Sequence, residues 1–271
     1  MLLKKNPQKI LQKLKLTLEK NGLDYKKAVE EFGQVYATEK RVNGKDFSIN
    51  NHVKGLILSM LSNQRPWGAV AKNMKKIDEI FFHFNAGKLE QAEYEKLLDK
   101  ITQIQCGNRN IRNQLRDLSY NIKVFRKIKE DFGSIDKFVI SKTPEEIASV
   151  LSNPKSNYKL KQIGFTLAME YLRNVGIRGM KPDLHLLRIC GHERLGIFLP
   201  KTSPEKATKI FKEFCKKANA NQTYVDNLFW LFGAKDYANI CSAKPKCHLC
   251  NLREYCNYPK AHPISGNLKF V

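Results

Sequence analysis

The sequence predicts an all-α protein, and three observations carry that prediction: apolar residues recur at helical spacing through most of the chain, helix-start signatures are legible, and strand-like runs are few and short. Val53, Leu56, Ile57, Met60 and Leu61 form one apolar stripe, Val70, Met74, Ile77, Ile80, Phe81 and Phe84 a second, and Leu115, Leu118, Ile122 and Phe125 a third. Each reads as the core face of an amphipathic helix rather than as a site. Thr143-Pro144-Glu145-Glu146 has the cap, first-turn proline and returning glutamate of a capping box, and Ser203-Pro204-Glu205 repeats the cap and proline. The best strand candidate, Phe138-Val139-Ile140, is short enough to be the end of a helical turn. No repeat, low-complexity segment or Gly/Ser linker marks a boundary, and 271 residues allow one large core or two modest ones.

The charge points to a partner class. Lys and Arg number 48 against 26 Asp and Glu, a formal net charge of +22. A field of that size attracts polyanions, with nucleic acid first among them. Apolar runs such as Leu228-Phe229-Trp230-Leu231-Phe232 fall far short of the ~18 residues of a membrane span. The opening MLLKKNPQKI has no secretory h-region, so a cytoplasmic protein is expected, nucleoid-associated in a prokaryote. In a reducing compartment seven cysteines suggest metal ligands or buried thiols before disulfides.

Cys241, Cys247, Cys250 and Cys256 lie in CSAKPKCHLCNLREYC with five, two and five residues between them. Soft thiolates so dense suit zinc or an iron–sulfur cluster. Structural zinc sites present two paired Cys-x-x-Cys knuckles, whereas here one pair is flanked by two offset cysteines, which favours the larger 4Fe-4S cluster. Lys244, Lys246 and Arg253 ride on this loop, as phosphate contacts or as solvated cations. Cys106, Cys190 and Cys215 read as core thiols.

A second constellation runs from Tyr158 to Leu172: a turn ending at Gly164 leads straight into a helix containing Ala168. Such a turn aims backbone N–H groups outward at a helix start, where a phosphate is favoured by hydrogen bonds and by the helix dipole. From Lys155 to Lys181 there are six cations and one acid, Glu170. Then comes Lys181-Pro182-Asp183-Leu184-His185-Leu186-Leu187-Arg188, in which Asp183 has an evident role as an N-cap. A carboxylate kept ionised at a helix start also suits a developing sugar cation.

Together these residues resemble the helix-hairpin-helix DNA glycosylase superfamily of endonuclease III and the adenine-mismatch glycosylases. The resemblance spans about Asp46 to Cys256, carried by Leu61-Ser62-Asn63-Gln64, the Leu160–Ala168 hairpin, Asp183-Leu184-His185 with Arg188, and the cysteine loop. It implies a six-helix domain at 47–178 with the hairpin at 158–172, and a cluster domain built from 1–46 and 179–271 with the four-Cys loop at 241–256. There are three departures. Lys161 and Gln162 replace the proline and first glycine of the family's Leu-Pro-Gly-Val-Gly, so a less tight turn is expected. The first cysteine gap is one residue shorter than the usual six. Thr166 stands where endonuclease III has its Schiff-base lysine, and an alcohol cannot replace that amine.

The resemblance implies a base-excision glycosylase that flips a damaged or mismatched base from double-stranded DNA and hydrolyses its N-glycosidic bond, monofunctional because of Thr166, and monomeric. Asp183 would stabilise the sugar cation, Thr166 position water or a phosphate, and Gln64 fill the vacated stack. Lys161, Gln162, Gly164, Lys244 and Lys246 would meet DNA, and Trp67 and Tyr171 are either stacking surface or core. Three alternatives stay open: a glycosylase/lyase using Lys161 or another nearby lysine, a non-catalytic binder of distorted DNA, and a zinc-stabilised helical nucleic-acid module.

Overall fold

A computed structural model describes residues 6–64 and 66–262; the first five and last nine residues of the expected cluster domain lie outside it. The described residues form helices and no strand. In chain order they are α1 (Pro7–Lys20), α2 (Tyr25–Glu31), α3 (Gln34–Val42), α4 (Ile49–Leu61), α5 (Trp67–Lys72), α6 (Met74–Ile80), α7 (Ala86–Glu90), α8 (Tyr94–Gln103) and α9 (Ile111–Arg116). Then follow α10 (Leu118–Phe132), α11 (Ile135–Ile140), α12 (Pro144–Ser152), α13 (Phe165–Asn174), α14 (Leu184–Ile189), α15 (Pro204–Lys217), α16 (Gln222–Gly233) and α17 (Tyr258–Ala261).

The helix starts follow local chemistry. Thr143 opens α12 with a reciprocal capping box to Glu146, and Ser48 opens α4 the same way with Asn51. Asn6 and Ser203 cap α1 and α15, each followed by proline. Phe138-Val139-Ile140 is the last turn of α11. No described helix is long and apolar enough to cross a membrane.

The chain divides into two compact units, residues 28–181 and residues 1–27 with 182–271. In the first, α13 lies along α4 and α12, and Tyr171 of α13, Leu56 of α4 and Phe125 of α10 are fully buried in its core. Each such side chain contributes about 1.5–3 kcal/mol on burial. Gly55 permits the α4–α13 approach, because a Cβ there would stand 2.9 Å from Val175 Cγ1.

Polar groups inside this unit are joined to one another. His52 meets the Tyr171 hydroxyl at 2.7 Å through Nδ1 and Asp136 at 3.1 Å through Nε2, while Asp136 also accepts from Arg41 at 2.7 Å and from the Phe47 amide. Burial alone would raise the Asp136 pKa, but the hydrogen bonds from His52, Arg41 and Phe47 and the Arg41 charge bring it to about 2. These bonds, with Gln34 donating to Glu170 at 3.0 Å, tie α3 to α11 and α13. Gly176, at φ +79°, leaves room for the Ala37 carbonyl, which a Cβ would meet at 2.3 Å. These contacts place α3 with α11 and α13 in the unit of residues 28–181.

The second unit packs α1 against α15 and α16 around Phe211, Phe214 and Phe229, whose rings lie about 6 Å apart. Gly233 at the end of α16 lets α14 approach, since a Cβ would stand 2.8 Å from Ile189 Cδ1.

Candidate active site

In the unit of residues 28–181, α4 ends in Ser62 and Asn63 and leads to an exposed Gln64 at φ +51°. The Met60 carbonyl at this helix end accepts from Asn108 Nδ2 at 2.8 Å, and the Asn108 side chain also accepts from the Asn110 amide at 2.7 Å. Asn110 in turn donates to Gln162 in the hairpin at 3.3 Å. A chain of three amides thus links the Gln64 turn to the hairpin.

The hairpin is shaped by side chains standing in for missing glycine. Gln162 adopts φ +61°, the left-handed conformation that glycine takes most easily, and its amide donates to Asp117 at 2.8 Å. Asn121 of α10 grips Lys161 from both sides, accepting from its N–H at 2.7 Å and donating to its carbonyl at 3.1 Å. Lys159 donates to the Ile163 carbonyl, and burial lowers its pKa. The loosening expected from Lys161 and Gln162 is offset by these bonds. The exposed Lys161 ammonium lies 4.2 Å from the Tyr120 ring centroid.

Gly164 precedes α13, is exposed, and has nothing within 4 Å of where a Cβ would begin. A phosphate can reach the α13 start there. Thr166 is half-buried in the first turn of α13. One turn later Glu170 is buried, its carboxylate bonded to Arg173 at 2.7 Å and 3.9 Å from Lys181 Nζ. Burial would raise the Glu170 pKa, but the charges of Lys181 and Arg173 and the bonds from Gln34 and Arg173 hold it below the ordinary carboxylate value. Lys181 also donates to Ser62 Oγ at 3.0 Å. Tyr171 is fully buried and hydrogen-bonded to His52, so it is core rather than stacking surface, and Trp67 is half-buried against the same core.

In the other unit Asp183 is half-buried and caps α14, its Oδ1 accepting from the His185 amide at 2.8 Å and the Leu186 amide at 3.1 Å. Arg188 reaches the Cys241 carbonyl at 3.3 Å and His185 Nδ1 at 3.1 Å, joining α14 to the start of the cysteine loop. The loop is anchored elsewhere too. Asn251 N–H donates to Thr17 of α1 at 3.1 Å, Arg194 to the Ala243 carbonyl at 3.4 Å, and the Asn257 amide to the Arg194 carbonyl at 2.7 Å. Lys244 and Lys246 are exposed on it.

Cys241, Cys247, Cys250 and Cys256 are near enough to bear on one another's ionisation. Burial leads, with neighbouring thiols adding to it, in raising Cys241 to about 11 and Cys250 to about 12, and Cys247 is raised for the same reasons. Among the described residues no group of three or more His, Cys, Asp or Glu is arranged to hold a metal ion. Cys106, Cys190 and Cys215 are buried, and burial pushes the Cys190 and Cys215 thiols well up.

No protein-family model matches the chain, and no curated protein matches it. Solved structures do. The 8-oxoguanine DNA glycosylase of Thermotoga maritima superposes with a TM-score of 0.54 at 21% identity, over 84% of this chain and 98% of that one. A trapped endonuclease III–DNA covalent intermediate gives 0.53 at 19% identity over 83% and 95%, and the Methanocaldococcus jannaschii 8-oxoguanine DNA glycosylase gives 0.52 at 20% over 84% and 96%. The chain has the helix-hairpin-helix DNA glycosylase fold. Within that glycosylase fold, reading the sequence missed the residues that set the hairpin: Asn108, Asn110, Asp117 and Asn121. Asn121 alone left a signal, a polar residue inside the stripe of Leu118, Ile122 and Phe125.

Proposed function

We propose that the protein is a base-excision glycosylase that removes a damaged or mismatched base from double-stranded DNA. The observation that carries this reading is the conjunction, in one chain of glycosylase fold, of an open Gly164 at the start of α13 and a carboxylate, Asp183, held at the start of α14 by two amides. The charge of +22 suits the partner.

In the proposed reaction the hairpin and the loop lysines grip phosphates while the target nucleotide leaves the stack, at a cost of a few kcal/mol that is least for a badly paired base. Gln64 occupies the gap. As the glycosidic bond lengthens, the Asp183 carboxylate stabilises positive charge on the sugar. Water then adds at C1′, and Thr166 offers a hydroxyl but no amine for that step. Two amide donors fix the Asp183 rotamer, so the carboxylate is positioned before substrate arrives.

Cys241, Cys247, Cys250 and Cys256 fit a 4Fe-4S cluster by donor chemistry: four soft ligands on one loop, with the charges of Arg188 and Arg194 acting on Cys241 to offset thiolate charge. A cluster spaces its ligands more widely than a single ion does. When bound it would cross-link the loop that carries Lys244 and Lys246.

The test is release of free base from a panel of duplexes, each carrying one lesion: an alkylated purine, uracil or thymine in a mismatch, an oxidised pyrimidine, and 8-oxoguanine, the base named for two of the structural neighbours. Release from one or more supports the reading. Tight duplex binding with no release from any member favours the non-catalytic binder.

A further inference from the structure

We propose that the outer face of α15, with the first turn of α1, is a second nucleic-acid surface, which holds a further duplex segment while another is engaged for excision. The inference rests on the reading of the chain as a DNA-binding enzyme and adds a surface that base removal itself does not use. Residues 1–27 and 182–271 hold 22 Lys and Arg against 9 Asp and Glu, so this unit carries a large excess of cations. Lys206, Lys209, Lys212, Lys216 and Lys217 are all exposed on α15, where Glu205 and Glu213 are the only acids. Lys209, Lys212 and Lys216, three and four residues apart, form one row along about 10 Å of the helix. The row lies roughly opposite Phe211 and Phe214, which are fully buried. Among the described residues none of these lysine side chains is in an ion pair, whereas on α10 Arg126 meets Glu90 at 2.7 Å and Lys127 meets Asp131 at 3.2 Å. Lys216 and Lys217 in the last turn serve the helix dipole, but Lys209 and Lys212 do not, and like charges so spaced repel one another. A polyanion laid along the row relieves that repulsion.

The row is a surface apart from the cysteine loop. Gln8, in the first turn of α1, donates to the Lys217 carbonyl at 2.7 Å, and Lys9 beside it is exposed. The loop meets α1 further along: Glu254 at Lys13, Asn251 at Thr17, and Leu249, whose carbonyl accepts from Asn21 at 3.3 Å. Gln8 and Asn21 are about 20 Å apart along the helix. Lys246, whose carbonyl accepts from the Leu249 amide at 3.0 Å, belongs to that remote end. The chemistry of the face selects its partner. A membrane-surface helix presents an apolar side to the lipid, but among the described residues no large apolar side chain of α1 or α15 is exposed. A phosphate backbone needs only the cations.

The test mixes donor-labelled and acceptor-labelled short duplexes with the full-length protein at about 50 mM salt. Energy transfer reports two duplexes in one complex, and sedimentation velocity counts the protein chains in it. We expect one chain with two duplexes. The triple variant Lys209→Gln, Lys212→Gln, Lys216→Gln keeps good helix formers at exposed positions. It should weaken the second duplex about 10-fold or more and reduce the log–log salt slope of that step by about 2.7, the value for three phosphate contacts. Affinity for the first duplex should stay within about 2-fold, and base release should be unchanged. Undiminished energy transfer in the triple variant overturns the proposal, as do two duplexes held only by two chains. A wild-type protein that releases base but binds one duplex alone overturns it while sparing the excision reading; if no duplex binds at all, both fail. Capture of phosphatidylglycerol vesicles through the row, in place of a second duplex, assigns the face to lipid and also overturns it. Lysine acetylation mapped by mass spectrometry on the wild type decides the matter even if the variant does not fold: Lys209, Lys212 and Lys216 become protected at the second equivalent of duplex, and continued labelling there refutes the assignment.

Discussion

Replacing Asp136 by asparagine removes one negative charge from the centre of the unit that carries the hairpin. The ordinary carboxyl pKa of 3.8 falls to about 2 here, and that difference corresponds to about 2 kcal/mol in favour of the ionised folded state. The substituted amide would keep the shape and one acceptor oxygen, yet leave the Arg41 guanidinium, only 15% exposed, without its counter-charge. Breaking a buried pair costs about 3–5 kcal/mol, and partial exposure of Arg41 places this case near the lower end. For a unit of about 150 residues, that amounts to a fall in Tm of roughly 6–12 °C. The assay is thermal unfolding of Asp136→Asn and wild type by circular dichroism from pH 7 to pH 2. A depressed carboxyl pKa contributes stability that is full above the unfolded value and lost as pH falls through about 4 to 2, so the gap between wild type and variant should narrow over that window. Burial leads in lowering the His52 pKa, which adds a separate loss in the wild type as pH falls below 6.5. A variant melting within about 2 °C of wild type at pH 7 would refute the reasoning, as would a gap that stays constant into acid.

Two further perturbations address the proposed interface. Gly164→Glu places a side chain in open space at an ordinary φ of −87°, so the fold should be unchanged while duplex affinity falls about 10-fold from charge repulsion with phosphate; equilibrium binding by fluorescence anisotropy reads it. Purified protein should be brown and carry about four iron and four sulfide per chain by colorimetric assay, Cys247→Ser should lower both together with duplex affinity, and a colourless, iron-free wild type would remove the cluster from the account.

Much of the fold was legible because it is written locally. Thr143 and Ser203 start helices as their side chains dictate, and the apolar stripes of α4 and α10 face the core as their periodicity requires. Asp183 also caps α14 as its position before an apolar helix predicts. What was not legible depends on residues brought together from distant parts of the chain. Gln162 takes a glycine conformation because Asp117 and Asn110 hold its side chain, 45 and 52 residues away, and no spacing in the sequence announces that. The same is true of Arg41 with Asp136 and of Gln34 with Glu170, which place α3 with the hairpin unit. Tyr171 reads as an exposed stacking candidate or as core, and only the His52 ring against its hydroxyl decides for core.

The most direct test of the excision account compares base release by Asp183→Asn and Asp183→Ala on a duplex the wild type processes, under single-turnover conditions. Asparagine caps a helix as well as aspartate does, so Asp183→Asn should keep Tm and duplex affinity while base release falls at least about 100-fold; Asp183→Ala should show the same loss together with about 1 kcal/mol less stability. Release at the wild-type rate by a folded Asp183→Asn protein would show that the carboxylate serves α14 alone, and the account would be contradicted.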